Sequence, residues 1–315
     1  MDKVLVTNAS FAKYNNRAEE ILKDYGLGIT RAKQPVIDEN ELISQLDDVV
    51  AIITGLEPVT RKAISSAPRL KVIVKHGIGV DNIDLDAAKE KGVIVANSPG
   101  TNREAVADLV FGLMLALARK IPQSDRQVRE GEWPKVFGQS VGGKTLGIIG
   151  LGVIGKSVAQ RAKGFNMKLL AFDKFWNEEY ASTNDIIRSN VDGILRASDF
   201  VTLHVPLMEE TRNLVGEEQL DMMKPTAYLI NTARGGVVDE AALYKALTED
   251  KLAGAGIDVF STEPPTESPL LGLQNVILTP HMGGFTDGAL SMTSEFVSQV
   301  VVDSLEGKEI RSRIV

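Results

Sequence analysis

Short β-branched runs alternate with longer amphipathic stretches along nearly the whole chain, the pattern of strand–helix units on a parallel sheet. Apolar runs predict strands at Val4–Thr7, Val49–Thr54, Lys71–Lys75 and Val93–Ala96. Val106, Leu109, Val110, Leu113, Met114 and Leu117 then follow i, i+3, i+4 spacing, predicting a helix with one apolar face. Thr101-Asn102-Arg103-Glu104, placed behind the breaker pair Pro99-Gly100, reads as the capping box that starts it. A second strand series is expected near Leu146–Ile149, Lys168–Phe172, Phe200–Leu203, Ala227–Asn231, Ala255–Val259 and Val276–Thr279. From Gly288 the chain reads as one helix to Glu306, closed by Gly307. Residues 121–143 form an excursion between the two series. The pattern therefore predicts an α/β protein of two doubly wound parallel-sheet domains, with residues 100–287 inserted into a domain made of 1–99 and 288–315.

A length of 315 residues fits two domains that each bury a core. With 35 Lys+Arg against 42 Asp+Glu, the net charge of −7 offers no basic footprint for nucleic acid. Cysteine is absent, which excludes disulfides, thiolate nucleophiles and cysteine-type metal sites. Met1-Asp2-Lys3 leads straight into Val4-Leu5-Val6, so no secretory signal is expected. The most apolar stretch, Leu109 to Ala118, is about half the ~20 residues of a membrane span. A cytoplasmic protein without nucleic-acid or membrane partners is expected. Any imidazole chemistry falls to three histidines, His76, His204 and His281.

Gly150-Leu151-Gly152-Val153-Ile154-Gly155 is G-x-G-x-x-G between an expected strand and an expected helix. That context suits a dinucleotide: glycines permit the turn and close backbone approach, and the helix start binds pyrophosphate. Asp173 lies 23 residues after Gly150, at the end of the next strand, where an acid binds the ribose 2′-hydroxyl and repels a 2′-phosphate. NAD is favoured over NADP. The plainer alternative is a glycine turn followed by a solvated acid.

Further polar residues fall at expected strand ends, which in open parallel sheets line the ligand crevice. They are His204-Val205-Pro206, Thr232-Ala233-Arg234-Gly235-Gly236, Asp258, Glu263-Pro264-Pro265 and Pro280-His281-Met282-Gly283-Gly284. Hydride transfer from a 2-hydroxy acid needs a permanently charged fork for the carboxylate, which Arg234 supplies. It needs a base for the hydroxyl proton, His281, and a carboxylate to orient that base, Glu263. Each has a bland alternative: Arg234 paired with a surface acid, Glu263 a solvated loop acid, His281 satisfied by backbone. No residues with metal-ligand spacing stand out.

At these three segments, and at Gly79-Val80-Asp81-Asn82-Ile83-Asp84, the sequence resembles the D-isomer-specific 2-hydroxyacid dehydrogenases, most of all the short phosphoglycerate dehydrogenase-type members. The resemblance covers nearly the whole chain. It implies a Rossmann NAD domain inserted into a flavodoxin-like substrate domain, and a catalytic set of Arg234, Glu263 and His281. The implied cofactor set is Gly150, Gly152, Val153, Ile154, Gly155, Asp173, His204, Val205, Pro206, Thr232, Ala233, Arg234, Asp258, His281, Gly283 and Gly284. Asp258 is placed near the nicotinamide carboxamide. Lys75, His76, Gly77 and Ile78 match the substrate loop, whose backbone amides help hold the carboxylate together with Arg234; for His76 the plain alternative is a packing histidine. The resemblance also implies a homodimer through the NAD domain, with residues 121–143 as its arm.

Two departures bear on the substrate. Phosphoglycerate-specific relatives carry Arg-Ser where this chain has Thr54-Gly55, and often Arg in the loop where it has Lys75-His76. A phosphoglycerate dehydrogenase-like activity is therefore set beside a hydroxypyruvate or glyoxylate-type 2-keto acid reductase. A distant alternative is an NAD-sensing corepressor-like protein without turnover. No C-terminal regulatory extension is expected.

Overall fold

A computed structural model describes residues 1–32 and 39–315. Two compact units are present, Met1–Asn102 together with Gly284–Val315, and Arg103–Gly283.

The first unit holds β1 (Lys3–Val6), β2 (Gly28–Arg31), β3 (Val49–Thr54), β4 (Val72–Lys75) and β5 (Ile94–Ala96). They form one parallel sheet in the order β2-β1-β3-β4-β5, the flavodoxin-like arrangement. All six residues of β3 are buried, because helices cover both faces of a parallel sheet. One core gathers Leu5, Ile52 and Ile73, and the opposite one gathers Val4, Ile53, Phe11 and Val297. The return helix Asp287–Leu305 packs in the latter, and its start is capped by Thr286, whose side chain accepts the Ala289 N–H. Beyond it the chain runs antiparallel along β5, with the Ile314 N–H donating to the Val95 carbonyl at 2.7 Å.

The second unit holds β6 (Thr145–Ile149), β7 (Lys168–Phe172), β8 (Ile186–Arg188), β9 (Phe200–Leu203), β10 (Tyr228–Asn231), β11 (Gly254–Ile257) and β12 (Val276–Leu278). Their order, β12-β11-β10-β9-β6-β7-β8, is the Rossmann order extended by one strand, and every ladder is parallel.

Three local features differ from expectation. β2 and β8 lack the apolar run that marks the inner strands, since each is an edge strand with at least two of its residues only partly buried or exposed. Helix Arg103–Ala118 is buried over more than one face, with Ala105, Ala107 and Phe111 inside as well as Val106, Val110, Leu113 and Met114. The capping box at Thr101 does not form. The Thr101 hydroxyl donates to the Ser98 carbonyl, and Glu104 accepts from Arg161 at 2.8 Å and Ser157 at 3.0 Å. A guanidinium makes a stronger, charge-assisted bond than a cap amide, and it holds the Glu104 carboxyl below its usual range.

Candidate active site

β6 feeds Gly150, whose φ is +99° and whose absent Cβ would lie 2.5 Å from the His204 carbonyl oxygen. A Cβ on Gly155 would overlap the Gly150 carbonyl, so the first turn of helix Val153–Gly164 presses directly on the loop. Gly152 faces open space, caps the helix without a side chain, and is followed by no acid in the first turn. Those free N–H groups and open volume fit a pyrophosphate. Val153 is half exposed at this rim and Ile154 packs on the core below.

Asp173 follows β7. One carboxylate oxygen accepts the Leu151 N–H and the other the Phe175 N–H, each at 2.7 Å. Each oxygen keeps a lone pair for a ribose hydroxyl. Across the sheet, at the ends of β9 and β10, two buried polar atoms have no hydrogen-bond partner among the described residues, His204 Nδ1 and Thr232 Oγ1. His204 Nε2 lies 3.0 Å from Thr202 Oγ1, and desolvation pushes the ring down to about 3, so it is neutral. Unpartnered buried polar atoms are costly, and two at neighbouring strand ends fit a site completed by a polar ligand. Val205 and Pro206 continue from His204 along the same rim.

Arg234, Glu263 and His281 follow β10, β11 and β12, three successive neighbours in the sheet. The Arg234 guanidinium donates to its neighbour, the Ala233 carbonyl, at 2.6 Å and meets no carboxylate among the described residues. It is partly buried. His281 Nδ1 lies 2.8 Å from Glu263 Oε2, and Glu263 Oε1 accepts the Phe260 N–H at 3.1 Å. With Nδ1 turned to the acid, Nε2 is the nitrogen left for a substrate. His281 has φ +50°, a left-handed conformation uncommon outside glycine and typical of functional turns. Its N–H is shared between the Asp258 and Thr279 carbonyls at 2.9 and 3.0 Å, which fixes it. The fully buried Asp258 accepts from Thr279, from the Met282 N–H and from the Gly283 N–H, tying this turn to β11.

Two further residues here escaped the sequence reading. Asn231, at the end of β10, donates to the Arg234 carbonyl at 3.0 Å and accepts the Ala233 N–H at 3.1 Å, clamping the arginine turn. Glu240 accepts the Ser261 N–H at 2.7 Å and the Ser268 hydroxyl at 3.0 Å, pinning the loop that carries Glu263. A Cβ on Gly235 would overlap the Phe260 carbonyl, so the arginine turn and the glutamate loop touch backbone to backbone. The polar letters flanking Arg234-Gly235-Gly236 were the available signal.

In the first unit, Lys75 ends β4, buried, and donates to the Gly55 carbonyl and to Asn82 Oδ1. The His76 ring turns inward, 3.0 Å from Ser294 on the return helix and edge-on to Phe11. The Ser294 hydroxyl donates to the Leu290 carbonyl, so His76 Nε2 is the donor of the pair. Burial pushes this histidine down to about 4. The N–H groups of His76 and Gly77 are taken by the Thr54 carbonyl and Ser98 Oγ. Those of Ile78 and Gly79 meet no acceptor among the described residues. Gly284 also belongs to this unit, packed on Asn102. Among the described residues no group of three or more His, Asp or Glu is placed to hold a metal ion.

A dinucleotide loop on a Rossmann-ordered sheet, with an arginine and a histidine–carboxylate pair at neighbouring strand ends, defines the class of nucleotide-dependent α/β oxidoreductase sites. Residues 111–283 match the D-isomer specific 2-hydroxyacid dehydrogenase NAD-binding domain. The chain is 41% identical over 317 residues to a D-3-phosphoglycerate dehydrogenase of Methanocaldococcus jannaschii, a match that covers 98% of this chain and 58% of that protein. It is 44% identical to a glyoxylate reductase of Pyrococcus horikoshii, covering 85% of this chain and 83% of the relative. Among solved structures, D-lactate dehydrogenase from Aquifex aeolicus, complexed with NAD and lactic acid, superposes with a TM-score of 0.82 at 31% identity, over 97% of this chain and 96% of that one. The chain belongs to the D-isomer-specific 2-hydroxyacid dehydrogenase family, and its second unit carries that family's NAD-binding domain.

Proposed function

We propose that this chain is an NAD-dependent dehydrogenase interconverting a small 2-hydroxy acid and its 2-keto acid. The observation that carries the reading is Arg234: a partly buried guanidinium without a carboxylate partner among the described residues, one strand from the Glu263–His281 pair. Bound NAD supplies the acceptor or donor of hydride at C2. Gly150 to Gly155, Asp173, Val205, Pro206, Thr232, Ala233, Asp258 and Gly283 would hold it, with His204 Nδ1 and Thr232 Oγ1 gaining the partner they lack. Arg234 binds the substrate carboxylate through its planar fork. In the first unit, the loop after β4 is a substrate-binding loop, with the amides of Ile78 and Gly79 as its donors.

His281 takes the hydroxyl proton on Nε2 in oxidation and returns it to the carbonyl oxygen in reduction. Glu263 accepts the Nδ1 proton, keeps Nε2 as the basic nitrogen and stabilises the imidazolium. Asn231 and Glu240 act through these residues, as positioning groups. Curated relatives carry both phosphoglycerate dehydrogenase and glyoxylate reductase names, so the reading covers phosphorylated and plain acids alike.

Assembly as a homodimer through the 121–143 arm is part of the same reading. Helix Ile121–Arg129 buries no residue, and Trp133 and Phe137 beyond it are 88% and 80% exposed. Solvent-facing aromatics in one segment favour a protein partner. No helix among the described residues is long and apolar enough to cross a membrane. We place the protein in the cytoplasm, beside the NAD pool its turnover would draw on.

The test is NADH oxidation against glyoxylate, pyruvate, hydroxypyruvate and phosphohydroxypyruvate. Turnover of at least one acid, falling at least 100-fold in Arg234→Ala with NADH affinity retained, is the expected result. A chain that binds NADH and reduces none of them overturns the reading.

A further inference from the structure

In the first unit's sheet the chain leaves β1 toward β2 on one side and β3 on the other, so the β1/β3 boundary is its topological switch point. Open α/β sheets place their ligands there, beyond the carboxyl ends of the strands. What stands at this point is a set of donors suited to an anion. The Thr7 hydroxyl follows β1, the Thr54 hydroxyl ends β3, and the Gly55 N–H comes next. All three converge on a single atom, Oε1 of Glu57, from Thr54 at 2.7 Å, from Gly55 at 2.9 Å and from Thr7. The cradle is filled from within the chain.

The turn that bears Glu57 is clamped. Asn82 Nδ2 donates to the Glu57 carbonyl at 2.6 Å and to the Gly55 carbonyl at 3.2 Å. The same Gly55 carbonyl accepts from Lys75. A Cβ on residue 55 would lie 3.0 Å from Glu57 Oε2 and 3.2 Å from Asn8 Nδ2, so glycine there leaves the carboxylate its room. Oε2 itself accepts no hydrogen bond from any described residue and remains an open acceptor.

We propose that Glu57 sets the substrate class: its carboxylate stands in for a tail anion, so the enzyme takes acids whose far end is a hydroxyl or is absent and rejects those ending in phosphate. This rests on the reading above that the loop after β4 binds substrate, because Lys75, from which that loop departs, bonds the carbonyl of Gly55 and Glu57 bonds its N–H. A phosphate entering here meets a fixed negative charge and donors already spent. A terminal hydroxyl meets the free lone pairs of Oε2. Of the phosphorylated and plain acids, a hydroxypyruvate-type acid is the one this end of the first unit accepts.

The experiment compares hydroxypyruvate and phosphohydroxypyruvate as substrates of the full-length protein, native and Glu57→Gln, with NADH affinity and thermal midpoint as folding controls. The native protein is expected to favour hydroxypyruvate in kcat/KM by at least tenfold. Glu57→Gln should narrow that ratio at least tenfold, mainly through KM. Inorganic phosphate should raise the thermal midpoint of the variant and not of the native protein. A native ratio at or above unity for the phosphorylated acid overturns the proposal, even if the variant fails to fold. So does a folded variant with an unchanged ratio. Absence of turnover with every keto acid sinks the dehydrogenase reading itself, and this proposal with it, and is told apart by that silence.

Discussion

Replacing Glu263 by glutamine tests the proton path most sharply, because the structure fixes how the amide must sit. Oε1 of Glu263 accepts the Phe260 N–H at 3.1 Å, and Oε2 faces His281 Nδ1 at 2.8 Å. In Glu263→Gln the backbone donor keeps the amide oxygen, so the NH2 group is turned to Nδ1. Nδ1 must then accept, and the ring proton moves to Nε2, the nitrogen that has to receive the substrate proton in oxidation. A charge-assisted hydrogen bond contributes about 1.5–3 kcal/mol. The pair is 40% and 35% exposed, so the lower end applies, about 1.5 kcal/mol. Forcing the disfavoured tautomer adds about as much, giving about 3 kcal/mol, or roughly 100-fold in kcat at tenfold per 1.4 kcal/mol. The assay is steady-state oxidation of the preferred 2-hydroxy acid, with NAD affinity from fluorescence titration. A variant that keeps more than half of native kcat, or loses activity only in step with NAD affinity, refutes the assignment.

Asp173→Ala removes the acceptor at the ribose position, and the ratio of NADP to NAD dissociation constants should fall by about tenfold or more; an unchanged ratio removes Asp173 from cofactor choice. His76 makes the first unit acid-sensitive. Its folded value of about 4 lies below the ordinary 6.5, so the unfolded chain binds the extra proton. Stability is therefore full above pH 6.5 and falls toward pH 4, by about 2.5 kcal/mol between pH 7 and 4.5. Urea unfolding across that range should show a shallower slope in His76→Gln than in the native protein, and equal slopes would contradict the burial argument. His204 acts in the same direction in both proteins, so it cancels in the comparison. For the arm, sedimentation should give a dimer mass for the native chain and a monomer mass for Trp133→Glu with Phe137→Glu; a native monomer refutes the dimer.

Much of this site was readable from the letters alone, because its residues are anchored to local patterns. A strand running into G-x-G-x-x-G, and Arg, Glu and His at three strand ends, need only the period of the sheet to be gathered. What stayed hidden depends on contacts between distant segments. Glu57 reads as an ordinary loop acid until Thr7, some 50 positions earlier, is seen against it. Asn231 and Glu240 look like generic turn and helix-start residues, and only their backbone partners reveal them. His76 read as either a substrate-loop contact or a packing histidine, and only Ser294, 218 positions away, shows its ring drawn inside. β2 and β8 were missed since an edge strand buries too little to enforce an apolar run. Glu104 obeyed the local capping rule in sequence and a distant arginine in space.

The continuity of residues 103–283 within a first unit built from two separate pieces has a consequence for descent. Every group assigned to the hydride and proton steps, and nearly every cofactor contact, lies in one uninterrupted stretch of chain. The group assigned to the substrate's tail, Glu57, lies outside it. Changes that retune what the protein accepts can therefore accumulate at the first unit's strand ends while the reaction is inherited intact, as a single cassette. A chimera carrying residues 103–283 inside a relative's first unit should take the relative's substrate and keep this chain's proton chemistry.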